Sequence, residues 1–209
     1  MRDLLKVQYG CGWGPVPDSW INFDASPTLR FERIPIFGRL YTKNESRFAN
    51  ATRYGHIVRG LPIPDGSARY IYCSHVLEHP SPDDCLTALK NTRRVLTEGG
   101  VFRMVLPDLE SMVNQYLNNS SATAASEFMR ATGLGETRRP RGLGGFLARW
   151  LGNSAHLWMY DFNSLANYLE EAGFTNIRRA EFNDSAHAEF KEVGLYARWE
   201  NCLGVECSR

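Results

Sequence analysis

The stretch Val7-Gln8-Tyr9-Gly10-Cys11-Gly12-Trp13-Gly14, followed shortly by Trp20-Ile21-Asn22-Phe23-Asp24, decides how the chain is read. An apolar strand stopped by glycines, then a second short strand ending in a carboxylate, is the layout of a nucleotide-type site at the edge of a parallel sheet. Glycine removes the Cβ that would hold a ligand off the backbone, and it tolerates positive φ. A Gly-x-Gly-x-Gly pattern alone also occurs in ordinary turns, so Asp24 carries the discrimination. A carboxylate at the end of the second strand can accept hydrogen bonds from both hydroxyls of a ribose.

Outward from this stretch the pattern is alternating. Residues 4–9 and 21–23 read as the first two strands, residues 56–58 as a weak third and residues 68–74 as a fourth, rich in tyrosine, isoleucine and cysteine. The next helix is well marked: Ser81 can cap it, Pro82 suits its first position, and Asp83 and Asp84 sit near its positive end. Gly99-Gly100 is expected to stop that helix before a fifth strand at 101–106. Pro107-Asp108 opens a helix with Leu109, Met112, Val113, Tyr116 and Leu117 on one face, and Leu165, Tyr168, Leu169 and Ala172 mark another that ends at Gly173. Two closing strands, 175–182 and about 202–207, would pair antiparallel. Strands alternating with helices imply an α/β sheet with helices on both faces and a binding crevice beyond the carboxyl ends of its strands. The Gly10 loop, Asp24, the Arg59-Gly60 turn and Ser74-His75 all fall at those ends.

Two segments break the pattern. Residues 25–54 read as mostly irregular, with a short helix near 43–51. Residues 118–155, rich in Ser, Ala, Gly and Arg, read as part of a helical and loop lid inserted around 108–155, with 138–145 as its mobile loop. The link from Gly10 to Ser19 is also short. A parallel crossover usually takes about 10 to 12 residues or more, and this link carries Pro15 and Pro17. The first crossover helix is therefore expected to be shortened or missing, its sheet face filled by residues 25–54 or by a second subunit in a homodimer.

Composition sets the class. The 209 residues suffice for one domain, 1–209, with its lid insert, and 43% apolar with 22% charged residues is an ordinary globular balance. A net charge of +1 argues against general nucleic-acid binding. No apolar run approaches the roughly 20 residues of a spanning helix, and the charged start lacks a secretory pattern, so no membrane association and a cytoplasmic location are expected. Five cysteines, odd in number and without a CxxC pair, fit reduced thiols rather than a disulfide framework or a zinc site.

In combination and order, several motifs make the chain similar to the class I S-adenosylmethionine-dependent methyltransferases, most of all to a small methyltransferase-11-like branch. They are Gly10-Cys11-Gly12, Trp20 to Asp24, Leu61-Pro62-Ile63-Pro64-Asp65-Gly66-Ser67, Ser74-His75-Val76-Leu77-Glu78-His79 and Arg94 to Phe102. His156 through Tyr160-Asp161 and Glu171 to Phe174 resemble the family's later pattern. The resemblance implies a Rossmann-like, mostly parallel seven-stranded sheet with an antiparallel C-terminal strand. It also implies S-adenosyl-L-methionine as cofactor and transfer of its methyl group to an oxygen or nitrogen of a small-molecule or glycan-precursor acceptor. Carried over by residue, Gly10, Cys11 and Gly12 would contact the methionine and ribose, Asp24 the ribose diol, Gly60 and Leu61 the adenine, and Ser74 and His75 the sulfonium region. Two positions depart from the pattern: Gln8 stands where an acid often receives the methionine ammonium, and Arg59-Gly60 where an acid often meets the adenine. They leave open a second class, a catalytically weak methyltransferase-like binding or regulatory subunit.

His75, His79 and His156 are the candidates for a general base, needed only where the acceptor must lose a proton. His79 could instead join Glu78 in metal binding, or the pair could simply fasten its loop; no metal is assigned. His156 follows the insert and would be carried toward the site by it. Trp158 and Tyr160 read as core aromatics, and His56 and His187 as structural or surface residues. The arginines Arg130, Arg138, Arg139, Arg141 and Arg149 could recruit an anionic acceptor, or form a solvated loop.

Overall fold

The computed structural model describes residues 4–36, 38, 45–135, 142 and 155–209. Its centre is one seven-stranded sheet. The strands are β1 (Leu5–Tyr9), β2 (Ile21–Asp24), β3 (Thr52–Tyr54), β4 (Ala68–Ser74), β5 (Leu96–Pro107), β6 (Thr175–Ala180) and β7 (Cys202–Ser208). They lie in the order β3-β2-β1-β4-β5-β7-β6. Pairs from β3 through β5 are parallel, whereas β7 runs antiparallel to both β5 and β6. This is the mostly parallel Rossmann-like arrangement with an antiparallel C-terminal end.

The helices form where local chemistry favours them. In α1 (Pro27–Glu32) Ser26 caps the Thr28 amide and proline opens the first turn. In α2 (Pro82–Val95) the Ser81 hydroxyl accepts from the Asp84 amide, and Cys85, Ala88, Leu89, Thr92 and Val95 turn one stripe into the core. Further along come α3 (Leu109–Leu117), capped by Asp108, and α4 (Ala124–Ala131). In α5 (Phe162–Glu171) Asp161 and Ser164 exchange a capping box, and Leu165 and Leu169 are buried.

Alternation along the strands splits the core in two. Val7, Tyr9, Ile71, Cys73, Phe102 and Met104 face α2 and α5, while Tyr72, Val101 and Val105 face the other way. The link from β1 to β2 moves one way across the sheet and the link from β4 to β5 the other, so equal handedness puts them on opposite faces. Residues 10–20 contain no helix, which confirms the missing crossover. The described residues of 25–54 do not pack into the vacated face, contrary to expectation. Phe190, Val193 and Trp199, from the link between β6 and β7, pack there with Trp20, Tyr72, Val101 and Val105. The Glu192 carboxylate reaches across to Lys6 of β1 at 2.9 Å and to the Ser19 hydroxyl. Apolar aromatics in the C-terminal link outbid the segment nearer in sequence, whose Phe31, Ile34 and Ile36 stay exposed.

Three other boundaries move. The third strand is Thr52–Tyr54, a sheet edge with only Thr52 buried; Ile57–Arg59 is instead a 3-10 turn whose carbonyls at Ile57 and Val58 accept from the Asn91 amide of α2. No helix occupies residues 45–51, and residues 43–44 lie outside the described ones. Gly99-Gly100 lies inside β5, since α2 ends at Val95 and Leu96 already has an extended backbone. The segment 138–145 and Arg138, Arg139, Arg141 and Arg149 lie outside the described residues apart from Gly142.

Candidate functional site

The glycine loop leaves β1 in the left-handed region, with φ of 69° at both Gly10 and Gly12. A Cβ at Gly10 would lie 2.0 Å from Val76 Cγ2, so the loop turns against the chain leaving β4 through a space only glycine fits. The Cys11 amide donates to the Phe23 carbonyl at 3.3 Å, which draws the loop over the end of β2. Asp24 then fixes both strands: Oδ2 accepts from the Gly12 amide at 3.0 Å and Oδ1 from the Ser26 amide at 2.7 Å. Burial pushes the Asp24 carboxyl above its ordinary value, against the pull of those two amides and of the Arg198 guanidinium. Cys11 beside it is pushed up to about 12, first by burial and then by the Asp24 charge, which keeps it a neutral thiol.

At the end of β4 the chain turns sharply through His75, whose φ is 53°. A non-glycine residue held there marks backbone strain of a kind that clusters at functional sites. His75 Nε2 lies 3.0 Å from the Arg198 carbonyl and Nδ1 lies 3.4 Å from Glu78 Oε1. Burial opposes charge on this imidazole, yet the Cys202 thiol, the Glu78 carboxylate and the Arg198 carbonyl together raise it to about 10. The Arg198 side chain donates to Ser74 Oγ at 3.3 Å, and its Nη2 lies 3.0 Å from where a Gly12 Cβ would project. The structure thus gathers Gly10, Cys11, Gly12, Asp24, Ser74 and His75 at one edge and adds Arg198.

A second group lies one turn further on. Glu78 is fully buried, and His79 and His156 each bring Nε2 to 3.9 Å from its Oε1. The Glu78 carbonyl accepts from the Leu157 and Trp158 amides at 2.8 and 3.2 Å, joining the two stretches. All three candidate histidines therefore surround one carboxylate. Gly60 is placed differently: its missing side chain faces Arg94 and Asn91 of α2, and Leu61 is buried against Phe23 and Gly55. Tyr160 is fully buried, whereas Trp158 is half exposed. An open groove of about 540 Å³ lined by Asp65, Gly66, Lys90, Arg93, Arg94 and Arg209 lies at the amino end of β4, remote from this chemistry.

Arg198 is the residue that sequence reasoning misses. It stands in no motif and 124 positions from the Ser74 that it contacts. The one available signal was the short first crossover, which obliges some later segment to cross that sheet face.

Comparison with known proteins bears on the fold and the family. A model of the methyltransferase domain family matches residues 7–179. A protein described as a probable methyltransferase, LtbC of Aspergillus luteorubrus, is 44% identical over 48 residues, which span 22% of this chain and 17% of that one. Among solved structures, an S-adenosylmethionine-dependent methyltransferase of Thermotoga maritima, described as a possible histamine N-methyltransferase, is similar with a TM-score of 0.52 at 17% identity, over 100% of this chain and 83% of that one. Among the described residues no helix is long and apolar enough to cross a membrane. With a family match over most of its length and this sheet order, the chain belongs to the methyltransferase domain family.

Proposed function

We propose that the chain transfers the methyl group of S-adenosylmethionine to an oxygen or nitrogen of a small molecule or glycan precursor. The observation that carries the reading is the Asp24 carboxylate, buried at the end of β2 and hydrogen-bonded to the amide of Gly12. A charge kept there at a desolvation cost suits a ribose diol that would share it. Gly10 and Gly12 would let the methionine part pass close to the backbone, and Arg198 would face its carboxylate. Gln8 Oε1, buried and without a hydrogen-bond partner among the described residues, fits an N–H donor such as the ammonium group. Leu61 would border the adenine, with Gly60 behind it.

The cofactor, when bound, supplies a methyl carbon already activated by its sulfonium. The protein's part is then chiefly to hold that carbon and the acceptor in line, and proximity of this kind supplies much of the acceleration. His75, held through Nε2 by the Arg198 carbonyl, would shape the sulfonium edge beside Ser74. Acceptors that must lose a proton would meet the group that His79 and His156 form around Glu78.

Titration calorimetry with S-adenosylmethionine and S-adenosylhomocysteine tests the reading, followed by turnover of labelled cofactor on hydroxylated, amino and phosphorylated acceptors. One cofactor per chain and label in an O- or N-methyl product are expected. No binding of either compound to folded protein would overturn it.

A further inference from the structure

The fully buried Glu78 has both carboxylate oxygens without a hydrogen-bond partner among the described residues. Leaving a carboxylate so placed is costly unless something compensates its charge. His75 Nδ1 approaches to 3.4 Å and offsets part of that charge as an ion pair, but without hydrogen-bond alignment, so both oxygens keep free lone pairs. Towards the same Oε1 come two further imidazoles, His79 Nε2 and His156 Nε2, both at 3.9 Å. One atom each from Glu78, His79 and His156 lie within 4.8 Å of one another.

The orientation of the two imidazoles is fixed from behind. His79 Nδ1 lies 3.1 Å from the Ala155 carbonyl and His156 Nδ1 lies 2.7 Å from the Thr132 carbonyl. A carbonyl can only accept, so each Nδ1 carries a hydrogen, and in the neutral ring each Nε2 presents its lone pair towards Glu78. This is how metal-binding histidines are held, with the remote nitrogen donating to a carbonyl or carboxylate. Gly133 makes the placement of His156 possible: with φ of 68°, it leaves open the space where a Cβ would come within 2.6 Å of His156 Nδ1. The rings stand 5.1 Å apart and tilted by 72°, so that they converge on the carboxylate instead of stacking.

The geometry points to a site for one divalent transition-metal ion held by Glu78, His79 and His156. Two imidazoles and a carboxylate suit zinc and its neighbours in the first transition row, and disfavour magnesium or calcium, which take oxygen donors. Bonds of 2.0 to 2.2 Å in a tetrahedron place ligand atoms about 3.4 Å apart, so the two 3.9 Å separations, and the third within its 4.8 Å bound, need to contract on binding. Three protein ligands leave at least one position for water. An ion there would compensate the buried carboxylate and tie the 155–158 stretch to the loop after β4. It would also lower the pKa of a bound water or acceptor hydroxyl. The assignment rests on these three side chains and not on the methyl-transfer reading.

The test uses the full chain, stripped with a chelator and titrated with cobalt(II), whose visible absorption reports its coordination. Expected are one cobalt per chain, visible bands of a four- or five-coordinate ion, their loss on adding zinc, and a higher melting temperature with either metal. His156→Ala should weaken binding by more than about 100-fold, since even removing an outer partner costs roughly 10 to 100-fold, while His187→Ala should bind as the parent does. Glu78→Gln is a second variant, and His79→Ala a third should Glu78→Gln not fold, with circular dichroism checking each. No stoichiometric binding, or binding unchanged in the folded ligand variants, overturns the site. Calorimetry with S-adenosylhomocysteine on the stripped protein reads the cofactor separately, so failure of one claim is distinguishable from failure of the other.

Discussion

Asp24 shows how one side chain can be structural and functional together. Its two oxygens satisfy the amides of Gly12 and Ser26, which pins the glycine loop to the start of α1. Removing it would leave both amides without their acceptor, at about 1 to 3 kcal/mol for each buried group. It would also remove two charge-assisted hydrogen bonds to a ribose diol, each worth about 1.5 to 3 kcal/mol. Asp24→Ala is therefore expected to lower affinity for S-adenosylmethionine by at least about 100-fold and to reduce the melting temperature, as read by calorimetry and circular dichroism. Retention of parental affinity would show that the diol is held elsewhere. Glu78 is the contrasting residue: its backbone carbonyl is fully used by Leu157 and Trp158, while its carboxylate has no hydrogen bond among the described residues and faces His75, His79 and His156.

Among the elements, the link between β6 and β7 does what a first crossover helix would otherwise do. Trp199 is its anchor: it donates to the Tyr72 hydroxyl at 3.2 Å, its ring takes the Arg103 guanidinium at 4.6 Å, and it fills the space over Gly204, where a Cβ would come within 2.3 Å. Trp199→Ala is expected to cost about 3 to 5 kcal/mol, as large-to-small changes at buried aromatics do. Because Arg198 precedes it and reaches Ser74, the same variant should weaken cofactor binding, measured by calorimetry below its lowered melting temperature. Stability lost with cofactor affinity unchanged would separate the cover from the site. The element also explains why Lys6, a charged residue of a central strand, is tolerated. Lys6 lies beneath Glu192.

At the scale of the molecule, the antiparallel end of the sheet is fastened by charge. Arg103 of β5 is buried and meets Glu206 of β7 and Asp184 of the link between β6 and β7 at 2.8 Å each, with Arg178 of β6 on the same two carboxylates at 2.7 Å. Burial alone would raise Asp184, but the Arg178 and Arg103 hydrogen bonds lower it to about 2. Glu206 is lowered by Ser185, Arg178 and Arg103 against the same burial effect. Folded-state values below the unfolded ones mean stability that is present above about pH 4 and lost as pH falls towards 2. The melting temperature should accordingly drop over that window. Asp184→Asn should flatten part of the drop and lie roughly 1 kcal/mol below the parent at pH 7, a figure kept small by partial exposure. A parent curve unchanged from pH 5 to pH 2.5 would rule this network out as an acid-sensitive fastening.

The glycine spacing, the acid after the second strand and the alternation of strand and helix patterns were local properties, and they determined the sheet, its antiparallel end and the missing first helix. Gly10 and Asp24 are separated by only 14 positions, so their meeting at one edge follows from two strands lying side by side. The edge strand Thr52–Tyr54 was hidden because only one of its three side chains is buried and no alternation marks it. Gly99-Gly100 misled because a helix can pass into a strand through one extended residue, Leu96, without a glycine stop. What only the tertiary structure decided were encounters across long separations: the cover from residues 182–199, Arg198 against Ser74, and His156 against Glu78. Apolar pattern states that a face must be buried but not by which segment, and the partner is chosen by packing in three dimensions.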